Sequence, residues 1–299
     1  MSTETADPRF ADVERWPTLS AVEAMLEGQL AAIAALKSQT DSIAAAAEAA
    51  AARLRKGGRI VYAGAGTSGR LAVQDGVELV PTYNWPSDRL VFLLAGGTQA
   101  MTRSVEGAED DVETARAELL AAEVGPNDVA IAVAASGRTP YAVTVLEMAR
   151  GRGALTIAIA NNPAAPLLVP ADHIIVADTG PEIVAGSTRM KAGTAQKAAL
   201  NILSTAIMLR CGLVHRGLMV NMRASNEKLR HRARRMVATL ADTDEAQAAA
   251  ALAQADNDLR RAVLVARGLS PKDATDRLAQ AGGDLGAALA NVPALNPGA

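Results

Sequence analysis

The feature that most constrains this chain is a short apolar run, Arg59-Ile-Val-Tyr-Ala63, followed at once by Gly64-Ala-Gly-Thr-Ser-Gly-Arg70 and a helical stretch. Strand, tight glycine turn and helix in direct succession form half of a βαβ unit. The pattern recurs. Arg89 to Ala95 reads as a strand running into Ala95-Gly-Gly-Thr98, and Asp128 to Ala134 as a strand running into Ala135-Ser-Gly-Arg-Thr-Pro140 and a helix to Arg150. Ala154 to Ala160 and His173 to Val176 supply two more strands. Strands alternating with helices predict an α/β fold with a parallel sheet covered on both faces. Ligands in such sheets bind beyond the carboxyl ends of the strands, where these polar loops fall.

Helices flank this region. From Leu19 to Arg55 apolar residues recur every three or four positions without a proline, giving one long or two shorter helices that stop at Gly57-Gly58. Ser187 to about Leu240 is helical again, broken near Gly212 and Gly217. Beyond Asp242 short Ala-rich helices follow, punctuated by Gly268-Leu-Ser-Pro271 and Gly282-Gly283. The sequence thus divides into a main domain over 1–240 and a small helical module over 241–299, with Asp244 to about Val292 as its three or four helices.

Composition narrows the ligand. A net charge of −2 with 21% charged residues lacks the basic excess of a nucleic-acid binder. One cysteine and three scattered histidines leave no disulfide framework and no zinc spacing, so no metal is expected. Aromatic residues are 2% of the chain, so a bound sugar would be held by polar groups rather than by stacking. The first residues, MSTETADPRFADVERW, lack a basic stretch followed by an apolar core, and no run of about 18 uncharged apolar residues appears. The expectation is a cytoplasmic protein with no membrane segment.

Gly64-x-Gly66-x-x-Gly69 after a strand matches the dinucleotide fingerprint, but the second strand ends in Leu94-Ala-Gly-Gly97, without the acidic residue that holds the ribose. A P-loop fails too, since no Gly-Lys-Ser/Thr closes the turn. What stands out is hydroxyls among glycines: Gly66, Thr67, Ser68 and Gly69 in the first turn, and Ser136, Gly137, Arg138 and Thr139 in the third. Converging backbone amides, a helix N-terminus and hydroxyl donors make a cradle for a monophosphate. Two such cradles suit one sugar phosphate. The plainer alternative is that Ser68 and Thr139 only cap helices. A third polar segment, Glu182 to Lys197, places Ser187, Thr188, Arg189 and Lys191 at another helix start, where cations oppose the dipole and call for an anion: a bound phosphate or carboxylate, or Glu182 itself. Asn226-Glu-Lys228 opens a basic amphipathic helix whose plain reading is a solvated face.

No Ser-His-Asp or Cys-His ordering suggests a nucleophile, so carboxylates carry the chemistry. Glu78, beside Val77, Leu79 and Val80, is expected to be partly desolvated, which suits a general acid. Glu106 and Glu109 follow the Gly96-Gly97 turn, and the plain reading of that stretch is an acidic helix start.

Taken in order, Gly64-Ala-Gly-Thr-Ser-Gly-Arg-Leu71, Glu106-Gly-Ala-Glu-Asp110, Ala134-Ala-Ser-Gly-Arg-Thr-Pro-Tyr141, Gly186-Ser-Thr-Arg-Met-Lys-Ala-Gly-Thr-Ala-Gln-Lys197 and Asn226-Glu-Lys-Leu229 resemble the N-acetylmuramic acid 6-phosphate etherase family of the sugar isomerase (SIS) fold, from about Thr3 to Val292. The resemblance implies a cofactor-free lyase that cleaves the D-lactyl ether of N-acetylmuramate 6-phosphate, giving N-acetylglucosamine 6-phosphate and D-lactate, in cell-wall sugar recycling. It implies that a base removes the C2 proton of the opened sugar, an acid assists loss of lactate from C3, and water adds to the double bond. By motif, Glu78 in Asp75-x-x-Glu78-x-x-Pro81-Thr82 falls on the acid and Glu109 on the base. Ser136, Arg138 and Lys228 are the candidates for donors at the carbonyl oxygen. The resemblance further implies a homodimer and a C-terminal module of ubiquitin-associated type. Two other readings share the fold: a non-catalytic sugar-phosphate sensor resembling glucokinase regulatory protein, and an aldose-ketose isomerase. Neither requires both glutamates.

Overall fold

A computed structural model of the chain describes residues 3–224, 226–290 and 292. Residues 293–299, assigned by sequence to the C-terminal module, lie outside the described residues. The chain forms two compact units, Met1–Val77 with Ser87–Ile207, and Glu78–Pro86 with Met208–Ala299.

The first unit is built on the five expected strands, β1 (Ile60–Gly64), β2 (Leu90–Leu94), β3 (Val129–Ala134), β4 (Leu155–Ala160) and β5 (His173–Val176). They pair in parallel throughout, in the order β2-β1-β3-β4-β5. Chain order reverses direction across the sheet between β1 and β3, so the crevice for a ligand opens at the carboxyl ends of those two strands. β1, β3 and β4 are buried at every residue, as continuous apolar runs require when both sheet faces are covered.

Helices α1 (Thr18–Ala34), α2 (Thr40–Leu54) and α3 (Gly66–Tyr83) come first, followed by α4 (Val112–Ala121), α5 (Pro140–Gly151) and α6 (Lys191–Arg210). Val61, Ala63, Ala130, Ala132 and Ala158 share one core with Leu119 of α4 and with Tyr141, Val145 and Leu146 of α5. The small strand side chains let those helices approach closely. Tyr62, Ile131, Ile157 and Ile159 alternate with them and are buried on the other face. On the sheet's β3, β4 and β5 strands α2 packs through Ala46, Ala50 and Leu54.

A 3-10 segment, Ala35–Gln39, separates α1 from α2. The Gln39 side chain accepts a hydrogen bond from the Val176 amide of β5 at 2.9 Å. α1 differs from the other helices in what it exposes. Leu19, Val22, Leu26, Leu30 and Ile33 recur at three- and four-residue spacing and are 46–69% exposed. Thr18–Leu54 is a described stretch long enough to cross a bilayer and contains an 18-residue window with a mean hydropathy of 1.4, a property of length and composition alone.

At the amino ends of the strands, Asp128 is a clamp. Its carboxylate accepts from the Arg59 amide at 2.8 Å, the Arg59 guanidinium at 2.8 Å and the Gly125 amide at 3.0 Å, joining the starts of β1 and β3. Burial alone would raise this carboxyl, but the Arg59 and Gly125 donors outweigh it and hold it below the usual carboxylate range. Asp128→Ala is expected to cost about 2 to 3 kcal/mol, from charge-assisted bonds lost at a buried position. Because the folded-state value is depressed, that contribution is present above the unfolded value and disappears as pH falls through the folded one. Thermal melts of the two proteins should therefore converge in acid.

In the second unit, α7 (Glu227–Ala241), α8 (Glu245–Gln254), α9 (Leu259–Ala266), α10 (Pro271–Gln280) and α11 (Leu285–Leu289) surround a core of Val237, Leu240, Leu252, Val263, Leu264 and Leu285. Each helix begins with a side-chain cap, Asn226, Asp244, Asp258, Ser270 and Asp284 in turn, each accepting a backbone amide in the first turn.

Candidate active site

The loops at the carboxyl ends of β1 and β3 are the first and third glycine turns, so the topology places both hydroxyl-rich cradles at the reversal point of the sheet. α3 starts directly on β1. A methyl group at Gly69 would stand 2.8 Å from the Gly64 carbonyl group and 2.4 Å from Leu94 Cδ1, while one at Gly64 would meet the Gly69 backbone at 2.9 Å. Only glycine at both positions lets the helix sit on the strand end. Ser68 is buried in the first turn of α3, and Thr67 is half-buried.

Gly66 and Thr67 line a cavity of about 470 Å³ whose other wall is 103–109, carrying Arg103, Glu106 and Glu109. The acidic helix start expected here is supplied by Asp111, which caps α4 by accepting from the Thr114 amide at 2.9 Å. Glu109 is exposed toward the cavity, one turn ahead of that cap. Arg70 braces the wall, donating to the carbonyls of Ala100 at 2.7 Å and Arg103 at 3.0 Å. On its other side Thr67 faces a second hollow, about 410 Å³, lined by Arg189, Lys197 and Asn201.

Around the third turn, Ser136 Oγ accepts from the Arg138 amide at 3.2 Å. Gly137 has a positive φ of 64° and presses on Ala165, where a Cβ would fall 2.2 Å from the Ala165 Cβ. Thr139 occupies the N-cap position of α5 but its side chain makes no cap bond, so capping does not account for that hydroxyl. Arg138 is exposed. Asn162, on the loop after β4, directs its amide to the carbonyls of Ala135 at 3.2 Å and Ser136 at 3.4 Å and to the hydroxyl of the fully buried Thr3 at 3.4 Å.

The third polar segment resolves in favour of an internal anion. Glu182, 1% exposed, accepts from the amides of Lys191 and Ala192 at 2.9 Å each, filling the N-terminus of α6. Lys191 turns its ammonium to the Thr179 carbonyl at 2.9 Å. Ser187 lies in the preceding turn, its amide bonded to the Val184 carbonyl. Gly193 of α6 lies against the Thr67 methyl, so this segment backs the first cradle.

Asp75, 2% exposed on α3, accepts from Tyr62 at 3.0 Å. Burial pushes its carboxyl up, against the pull of Ser204, Tyr62, Lys197 and Asn201. Glu78 and Lys228 belong to the second unit. Glu78 is exposed, with Val77 beside it 51% exposed, so the apolar neighbours read from sequence do not desolvate it within this chain. Asn226 caps α7, Glu227 pairs with Arg230 and Arg234, and Lys228 lines a hollow of about 520 Å³ with His231, Arg232 and Arg235.

Sequence reasoning missed Arg103 and Asn162. Asn161-Asn162 directly follows β4, and a polar pair at the carboxyl end of a buried parallel strand was an available signal. Arg103, a lone cation between a glycine turn and an acidic segment, gave none without the wall being folded.

Comparison with known proteins agrees with this fold. A family model described as the glucokinase regulatory protein N-terminal SIS domain matches residues 42–150, and one described as the SIS domain matches 107–206. A phosphoheptose isomerase from Francisella tularensis shares the fold, with a TM-score of 0.50 at 17% identity over 65% of this chain and 98% of that one. Two proteins named N-acetylmuramic acid 6-phosphate etherase align along almost the whole length. The one from Deinococcus radiodurans is 48% identical, covering 94% of this chain and 92% of its own. That from Streptomyces coelicolor is 46% identical, covering 97% and 94%. At such identity over such a span, the chain belongs to the N-acetylmuramic acid 6-phosphate etherase family.

Proposed function

We propose that this protein is a lyase that cleaves the D-lactyl ether of N-acetylmuramic acid 6-phosphate, releasing D-lactate and N-acetylglucosamine 6-phosphate in the recycling of cell-wall amino sugars. The observation that carries the reading is one cavity at the carboxyl ends of β1 and β2, bounded by the glycine turn at the N-terminus of α3 on one side and by Glu109 on the other. Membership of the etherase family supports the choice of reaction.

In this reading Gly66, Thr67, Ser68 and Gly69 hold the 6-phosphate, with Ser136, Gly137, Arg138 and Thr139 as the second cradle and Ser187 and Lys191 beyond it. Glu182 acts indirectly, by fixing the start of α6. Glu109 takes the C2 proton of the opened sugar, and the electron pair moves onto the C1 carbonyl oxygen, where Ser136, Arg138 or Lys228 offers a donor. As that pair returns, the C3–oxygen bond breaks and Glu78 gives its proton to the departing lactate oxygen. Water then adds at C3 and the proton returns to C2. One carboxyl must be ionised and the other protonated, which calls for unequal surroundings. The substrate itself can supply the desolvation that exposed Glu78 lacks in the free chain. Incubation with N-acetylmuramic acid 6-phosphate in deuterated water should release lactate and place deuterium at C2. Absence of lactate under every condition would sink the reading.

The protein works in the cytoplasm as a homodimer, and α8 to α11 form a small module of ubiquitin-associated type. The exposed seam of Leu19, Val22, Leu26, Leu30 and Ile33 supports the dimer, because five large apolar side chains on one helix face match a helix-packing seam of a second copy. Leu26→Asp with Leu30→Asp is expected to halve the mass seen by sedimentation. A protein that stays dimeric, or wild type that pellets with lipid vesicles, would remove the seam as the dimer contact.

A further inference from the structure

We propose that Arg103 anchors the carboxylate of the lactyl group, so that the enzyme selects an acid-bearing ether over a neutral one; this rests on the etherase reading above. The substrate carries two anions at different places, a phosphate on C6 and a carboxylate on the group that leaves C3. The α3 cradle answers the first. The second must approach a wall that already holds Glu106 and Glu109, and two carboxylates repel a third unless a cation stands among them.

Two guanidinium groups line that cavity, and they are not equivalent. Arg70 has its Nε on the Ala100 carbonyl and an Nη on the Arg103 carbonyl, so its donors serve the backbone. Arg103 is exposed, and among the described residues its guanidinium has no hydrogen bond or ion pair. Its backbone, by contrast, is fixed at both ends of the residue: the amide donates to the Gln99 carbonyl at 3.1 Å, and the carbonyl accepts from Arg70 at 3.0 Å. A fixed backbone carrying an unpaired planar fork suits bidentate capture of a carboxylate. Glu106 and Glu109 line the same cavity, so this wall carries charge of both signs.

The test compares wild type with Arg103→Gln and Arg103→Lys on three ligands: N-acetylmuramic acid 6-phosphate, its lactamide in which a neutral amide replaces the carboxylate, and N-acetylglucosamine 6-phosphate as a competitive inhibitor. Arg103→Gln is expected to lower kcat/KM for the acid about 10- to 100-fold while leaving the lactamide rate and the inhibitor constant unchanged, so that acid-over-amide selectivity collapses. Arg103→Lys should retain part of the selectivity, having the charge without the fork. Equal losses on acid and amide would overturn the proposal, as would weakened inhibition by N-acetylglucosamine 6-phosphate, which would put Arg103 on the phosphate. If wild type releases lactate and Arg103→Gln keeps its selectivity, this inference alone fails. If wild type releases none, the etherase reading fails first.

Discussion

Replacing Glu109 by glutamine is expected to lower kcat about 10²- to 10⁴-fold and to abolish deuterium entry at C2, because the amide keeps the shape of the side chain but cannot accept a proton. Glu109 is exposed and lies outside the α4 cap, so the melting temperature should not move. Glu78→Gln should lose lactate release by a similar factor while C2 exchange continues, since in the proposed mechanism proton abstraction precedes the loss of the leaving group. Comparing the two variants by lactate assay and by NMR of the C2 position separates the roles. Exchange abolished by Glu78→Gln and retained by Glu109→Gln would interchange them.

Gly69→Ala is expected to damage both stability and ligand binding. The added methyl falls inside the contact distance of both the Gly64 carbonyl group and Leu94 Cδ1, and the Gly64 backbone cannot swing away as a flexible side chain would. Overpacking of this kind costs about 1 to 3 kcal/mol. It also lifts the N-terminus of α3 off β1, and with it the amides proposed to hold the phosphate. A lowered melting temperature together with a raised KM, at nearly constant kcat per folded molecule, is the expected pattern. A variant with wild-type melting and wild-type KM would show that the strand and helix do not need this approach.

The sheet was readable because burial on both faces imposes unbroken apolar runs. The expected strands Arg59–Ala63, Asp128–Ala134 and Ala154–Ala160 agree with β1, β3 and β4 to within a residue at each end. Their order was not read, since pairing β1 between β2 and β3 depends on contacts made by residues distant in sequence. The turns were readable for a local reason: glycine where backbones touch, hydroxyl where amides converge. Other features rested on distant partners. Gln39 lies in a stretch whose spacing reads as helix, yet its side chain bonds β5, 137 residues away, at the break between α1 and α2. Glu78 looked sheltered by Val77, Leu79 and Val80, but helical geometry sends neighbours in sequence to different faces, burying Leu79 and exposing Glu78 and Val77. The choice between Glu182 and a bound anion for the start of α6 was left open by sequence and closed by two 2.9 Å bonds.

The Arg70 brace has a mechanical consequence. Arg70 lies on the first turns of α3, yet its guanidinium grips two carbonyls of 100–103, the stretch that leads to Glu109. Thermal displacement of the first glycine turn and of that stretch is therefore correlated. An anion that stills the turn also narrows the wandering of the loop bearing Glu109, so phosphate occupancy should increase hydrogen-exchange protection of amides in 100–110.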